Sequence, residues 1–176
     1  VFAYRGGALA RAGHNHVIAS RHLQGELRLG DDATRAQFEL TIPVSLLTID
    51  EPELRAAAGA DFATDVTDSA KDGTRKNMLS EALLDGERFP GIRLRMSAVE
   101  LASTGYIASV ETLVKDVPRV HRVPLTLERG AAEVVATGEF ELKQSDLGLK
   151  PFSVMMGALA VQDAMRVRFR VVARAS

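Results

Sequence analysis

The segment Met165-Arg166-Val167-Arg168-Phe169-Arg170-Val171 sets an apolar side chain at every odd position and arginine at every even one. Only an extended chain separates such a set, because successive side chains of a strand point to opposite faces. A strand with one dry and one wet face follows. The same period recurs in residues 36–42, 92–96 and 140–143, and less regularly in 23–29, 106–114 and 123–127. About eight strands are expected. Turn residues at Gly30-Asp31-Asp32, Ser103-Thr104-Gly105, Asp116-Val117-Pro118 and Arg129-Gly130 separate the runs at close spacing, which favours antiparallel neighbours.

A sheet of that many strands, each with one apolar face, must pack on a second sheet or close on itself. Closure also removes the edges on which other chains could pair. Period alone leaves sandwich and barrel open. The 176 residues suffice for one substantial core. The expected fold is a single all-β domain over residues 1–176, an antiparallel β-barrel with a helical insertion at about 50–90. Inward positions by parity are Phe38, Leu40, Leu94, Met96, Val110, Leu125, Phe140, Leu142, Met165, Val167 and Phe169. Among them bulky rings mix with slender or flexible residues, including Ala36 and Ala98 as further inward positions. A barrel of this size is either filled by its own side chains or holds one small ligand. The mixture favours an apolar slot, with a filled interior as the alternative.

The stretch 50–90 departs from the β pattern. Asp50-Glu51-Pro52-Glu53-Leu54-Arg55-Ala56-Ala57-Ala58 opens with a capping residue type, carries proline in its first turn and stops at Gly59, which predicts a short helix. A second helix is expected from Thr74 through Met78 to Leu84, with a break at Ser80, because Met78, Leu79, Ala82 and Leu83 share one face. That face, with Phe89, is expected to close one end of the barrel as a lid. Residues 61–73, with four aspartates, read as a solvated loop.

Composition narrows the function classes. Basic residues number 22 against 23 acidic ones and tryptophan is absent, so neither phosphate attraction nor a base-stacking surface is implied. Nucleic acid is not an expected partner. No run approaches the roughly 20 apolar residues that span a bilayer as a helix. No signal-peptide pattern opens the chain, which starts at Val1 and not at Met. Without cysteine there is no disulfide, thiolate metal site or thiol nucleophile. The sequence also lacks a G-x-S-x-G elbow, a Walker loop and a G-x-G-x-x-G motif. No catalytic residue is nominated.

The chief concentration of chemically versatile side chains is Gly13-His14-Asn15-His16. In an extended segment His14 and His16 point to the same side. They are candidates for a metal pair, for contact with a ligand's polar head, or for hydrogen bonds to buried backbone at the barrel mouth. Two ligands do not complete a zinc site, so no metal is expected. His121 shares parity with Val123, Leu125 and Leu127 and is a polar handle for a ligand or a satisfied core histidine.

Five segments together resemble the YceI-like family of lipid-binding proteins. They are Gly13-His14-Asn15-His16-Val17; Ile42-Pro43-Val44 with Thr48-Ile49-Asp50; Arg75-Lys76-Asn77-Met78-Leu79 followed by Phe89-Pro90-Gly91-Ile92; Gln144-Ser145-Asp146-Leu147-Gly148; and Gly157-Ala158-Leu159-Ala160-Val161-Gln162-Asp163. The resemblance spans nearly the whole chain. It implies a lipocalin-like antiparallel barrel whose interior holds an isoprenoid, quinone or fatty-acyl chain, in a bacterial periplasmic or secreted protein. It implies no catalytic residues and no required cofactor beyond that bound lipid. The Gly-His-Asn-His element and a long insertion around residues 61–72 depart from the commonest members.

The function expected is therefore a non-enzymatic carrier whose partner is an apolar small molecule, with a homodimer as one assembly the sequence permits. The alternatives are a metal- or haem-associated protein using His14 and His16, and a packed barrel that docks a partner without a ligand.

Overall fold

The computed structural model describes residues 1–30 and 32–174, so Asp31 of the first expected turn lies outside the described residues. The elements run β1 (Phe2–Gly6), β2 (His16–Ala19), β3 (Gln24–Arg28), β4 (Gln37–Pro43), β5 (Thr48–Ile49), α1 (Pro52–Ala58), α2 (Asp68–Leu79), β6 (Gly91–Leu101), β7 (Tyr106–Val114), β8 (Val117–Arg129), β9 (Glu133–Lys143), β10 (Ser153–Val154) and β11 (Leu159–Arg174). Seven of these strands contain or coincide with the alternating runs. Among the described residues the count reaches eleven because β1, β2, β5 and β10 are too short for a period to show in sequence.

Every strand pair is antiparallel, in the order β3-β4-β6-β7-β8-β9-β11-β1-β2-β5, with β10 added on β11. The sheet curls around a cavity as an antiparallel barrel with an open seam. Among the described residues β3 pairs only with β4, and β1 meets β11 only as far as Arg166, so the edge of β11 beyond it faces the seam unpaired.

Local chemistry fixes the wall. Lys115 and Asp116, both with positive φ (51° and 57°), form the two-residue turn between β7 and β8. The expected turn at Asp116-Val117-Pro118 therefore begins one residue earlier, and Val117 and Pro118 open β8. In this register Pro118 and Pro124 occupy positions whose backbone nitrogens point away from β7, toward β9. β8 pairs with β9 only over residues 126–129, so proline there deprives no ladder carbonyl of its donor. A bulge between Met96 and Ala98 on β6 turns Ala98 outward and brings Val99 onto the cavity face, which corrects the inward assignment of Ala98.

The insertion differs from expectation in three ways. Asp50 does not cap α1: its backbone takes φ 55°, its carboxylate is used elsewhere, and Pro52 opens the helix without a side-chain cap. Residues 61–73 are also not one solvated loop. Phe62 is buried, and α2 starts at Asp68 with the Thr67 hydroxyl accepting from the Ala70 N–H at 3.3 Å. Polar Asp68 and Asp72 and the central Gly73 hid this first half of the helix. α2 ends at Leu79 with Ser80 as its C-cap, at the expected break, but the helical continuation expected to Leu84 is absent: residues 81–84 are turns, and further turns lead to Pro90.

Three apolar clusters result. One lines the barrel around Met96, Ala108, Val110 and Val123. A second, around Val44, Leu47, Met78, Leu84 and Val114, plugs one end. The third packs Phe2 and Val17 against Phe62, beside Leu54 and Ala58 of α1.

Candidate functional site

A cavity of about 1450 Å³ runs through the barrel, bordered by β1 to β4, β6 to β9, β11 and both helices. Pockets for drug-sized ligands typically span ~300–1,000 Å³. Phe38 and Leu40 on β4, Leu94 and Met96 on β6, Val110 on β7, Leu125 on β8, Phe140 and Leu142 on β9, and Met165, Val167 and Phe169 on β11 all line it. Met96 and Val110 are buried, while the others keep more of their surface uncovered because they face open space. Gly138 helps shape the wall: a Cβ there would sit 2.6 Å from the Phe169 ring and 2.4 Å from the Pro124 carbonyl oxygen.

Met78 and Leu83 border the cavity from the plug, where Met78 is buried and Leu83 half-buried. Phe89 does not. The chain turns back through hydrogen bonds from Asp85 N–H to Ser80 O and from Phe89 N–H to Asp85 O, so Leu84 fills the plug instead. The Phe89 ring stands 5.2 Å from the Arg88 guanidinium, away from the cavity. Sequence reasoning missed Leu84, Val114, Leu147 and Leu149 in this plug because they come from three separate segments.

Beside the plug lies a buried polar network. The Asp50 carboxylate accepts from His16 Nδ1 at 2.6 Å, from the Val17 N–H at 2.8 Å and from Arg55 Nη1 at 2.6 Å. Burial pushes the Asp50 carboxyl up, but those donors outweigh burial and hold it below the usual carboxylate range. Arg55 also donates to the carbonyls of Asn15 at 2.8 Å and Thr64 at 2.7 Å. His16 Nε2 lies 3.3 Å from Thr74 Oγ1, whose own proton goes to the Ala70 carbonyl at 2.9 Å. Both ring nitrogens of His16 are therefore engaged within the protein.

His14 and His16 both border the cavity, with ring centroids 6.2 Å apart. Among the described residues no group of three or more His, Cys, Asp or Glu side chains is placed to hold a metal ion. His121 also faces the cavity, and its Nε2 is buried with no hydrogen-bond partner among the described residues. Burial lowers its pKa below the ordinary histidine value, outweighing the nearby Asp146 carboxylate, and Arg119 adds to the lowering. Gly73 and Asn77 of α2 also line the cavity, and apart from its chain neighbours and its own helix backbone nothing lies within 4 Å of where a Gly73 Cβ would be.

The seam opens this cavity between two strand edges. Leu23, Leu27, Arg28 and Leu29 stand on the β3 side and Arg168, Arg170, Val172 and Arg174 on the other. Arg168 and Arg170 are exposed, as their parity requires, and Arg168 pairs with Glu139 at 2.6 Å. Arg166 is half-buried with its guanidinium 4.5 Å from the Phe2 ring.

Comparison with known proteins agrees with this architecture. No curated protein sequence matches the chain. Among solved structures, BcnA of Burkholderia cenocepacia superposes with a TM-score of 0.67 at 14% identity, over 98% of this chain and 95% of that one. A Campylobacter jejuni YCEI protein that crystallizes with large solvent channels superposes with a TM-score of 0.64 at 8% identity, over 91% and 85%. A cysteine mutant of that protein, with a monobromobimane guest structure, gives 0.64 at 7% identity over the same shares. At these identities the likeness concerns the fold. The sequence itself matches the family model for the YceI-like domain over residues 11–173, and the chain belongs to the YceI-like family.

Proposed function

We propose that this chain is a non-enzymatic carrier that holds a long apolar molecule, an isoprenoid, quinone or fatty-acyl chain, inside its barrel. The observation that carries the reading is the cavity of about 1450 Å³ with partly uncovered apolar side chains on its wall. Burial of a methylene contributes about 0.8 kcal/mol, so a long hydrocarbon is held without strong polar contacts. His121, with its free buried Nε2, and His14 are the polar groups assigned to the ligand's oxygen-bearing end. His16 has the different task of joining β2 to Asp50 and α2. The setting that suits such a carrier is the bacterial periplasm or the extracellular space.

The test is organic extraction of the purified protein followed by mass spectrometry, with elemental analysis on the same sample. A stoichiometric isoprenoid, quinone or fatty-acyl lipid is expected. Absence of lipid, together with failure to take up a lipophilic fluorescent probe, rules the carrier out. A stoichiometric transition metal would transfer the assignment to a metal-dependent function of the histidines.

A further inference from the structure

Residues 7–13 and 152–158 meet in one tip. The Leu9 N–H donates to the Ala158 carbonyl at 2.7 Å, and the backbones touch so closely that a Cβ on Gly7 would lie 2.4 Å from the Gly157 oxygen. Four large apolar side chains at this tip face solvent: Leu9, Val154, Met155 and Met156, the last fully exposed.

Two observations separate this patch from ordinary surface. Met155 and Met156 both adopt left-handed backbone conformations, with φ of 52° and 54°, and neither is covered by packing. Asn, Asp or Gly would occupy such turn positions with less strain, so local preference conflicts with the residues present. The segments that build the tip also carry charge of one sign. Residues 1–25 and 147–162 contain no aspartate or glutamate, while Arg11 within the tip and Lys150 two residues before its second segment are exposed. The tip adjoins the cavity too, since Ala12, Gly13, Phe152 and Leu159 border it.

We propose that this tip docks the protein on an anionic lipid surface, with Met155 and Met156 entering the acyl boundary and Arg11 and Lys150 meeting the headgroups. Flexible apolar side chains next to cations suit such an interface. A second copy of the chain fits less well, because a symmetric contact through this tip would bring two cationic faces together. This surface lies outside the cavity wall, so the proposal does not depend on the carrier reading.

The experiment is cosedimentation of the full chain with phosphatidylcholine vesicles and with vesicles containing about a quarter phosphatidylglycerol. Binding to the anionic vesicles is expected. Met155→Asn with Met156→Asn should weaken it roughly tenfold or more, while Tm stays equal or rises because the turn is relieved. Arg11→Glu with Lys150→Glu should reduce binding to the anionic vesicles by roughly fivefold or more per charge. No binding by the parent protein, undiminished binding by the methionine variant, or a dimer that the methionine variant abolishes would each overturn the proposal. Lipid extracted from the same samples tests the carrier reading separately.

Discussion

Asp50 lies 2.6 Å from Arg55 at a site where 1% of the aspartate reaches solvent. The pair links β2, α1 and the segment after it, because Arg55 also holds the Asn15 and Thr64 carbonyls. Arg55→Leu would leave a buried carboxylate with one charged donor fewer. Breaking such a pair typically costs about 3–5 kcal/mol, and urea denaturation should show a loss of that order. Combining Arg55→Leu with Asp50→Asn should cost less than the sum of the two single changes.

Stability should fall with acid in two windows. The His121 pKa is lowered in the folded protein, so its contribution is present above about pH 6.5, the unfolded value, and is lost as pH falls through the folded one. The Asp50 pKa is also lowered, so its contribution is present above about pH 4 and is lost below, as pH falls through the folded value. Denaturation measured against pH should show His121→Leu flattening the first window and Asp50→Asn the second.

The lumen was legible in sequence because parity is local. Phe140 and Leu142, or Val167 and Phe169, declare their face by their own spacing. Ala98 did not, since a bulge is set by pairing with β7 and leaves no mark on β6 alone. Asp50 was misread because the residue type that caps helices also serves as a buried acceptor. The five family-like segments turn out to include joints. Ser145 donates through its hydroxyl to Asp163 at 2.6 Å, and Arg75 donates to the Leu47 and Ser45 carbonyls at 2.7 and 3.1 Å. Such joints connect distant segments, and only their residue types, not their partners, are visible in a single sequence.

Leu40 and Val167 project into the cavity from β4 and β11. Enlarging both to Trp should occupy part of the lumen. In a filled core such changes typically cost about 1–3 kcal/mol, whereas here Tm should hold or rise. Titration with a lipophilic fluorescent probe should show affinity reduced roughly tenfold. A lower Tm with unchanged probe binding would show that the probe sits elsewhere.

The two histidines of the Gly-His-Asn-His element should separate on mutation. His14→Ala is expected to leave stability within about 0.5 kcal/mol, the usual range for a change away from a buried network. His16→Ala removes a donor to buried Asp50 and should cost about 1–3 kcal/mol. Neither should strip extracted lipid from folded protein, because burial of hydrocarbon holds it. Lipid loss from folded His14→Ala protein would instead make the polar contact decisive.

Met78 and Leu83 test whether the plug also governs access. Both border the cavity, but Met78 is buried among Val44, Leu47, Leu84 and Val114, whereas Leu83 is half-buried at the plug's margin. Met78→Asp would set a carboxylate in that cluster without a partner, at a cost of several kcal/mol, and should lower Tm markedly. Leu83→Asp can turn its carboxylate toward solvent by loosening the turns that follow α2, and should leave most of the fold in place. Release of a preloaded lipophilic probe should then be faster, and proteolysis near residues 61–73 should increase. The β-sheet signal in circular dichroism should be retained. An unchanged release rate in Leu83→Asp would restrict the plug to a structural role and assign ligand passage to the seam between β3 and β11.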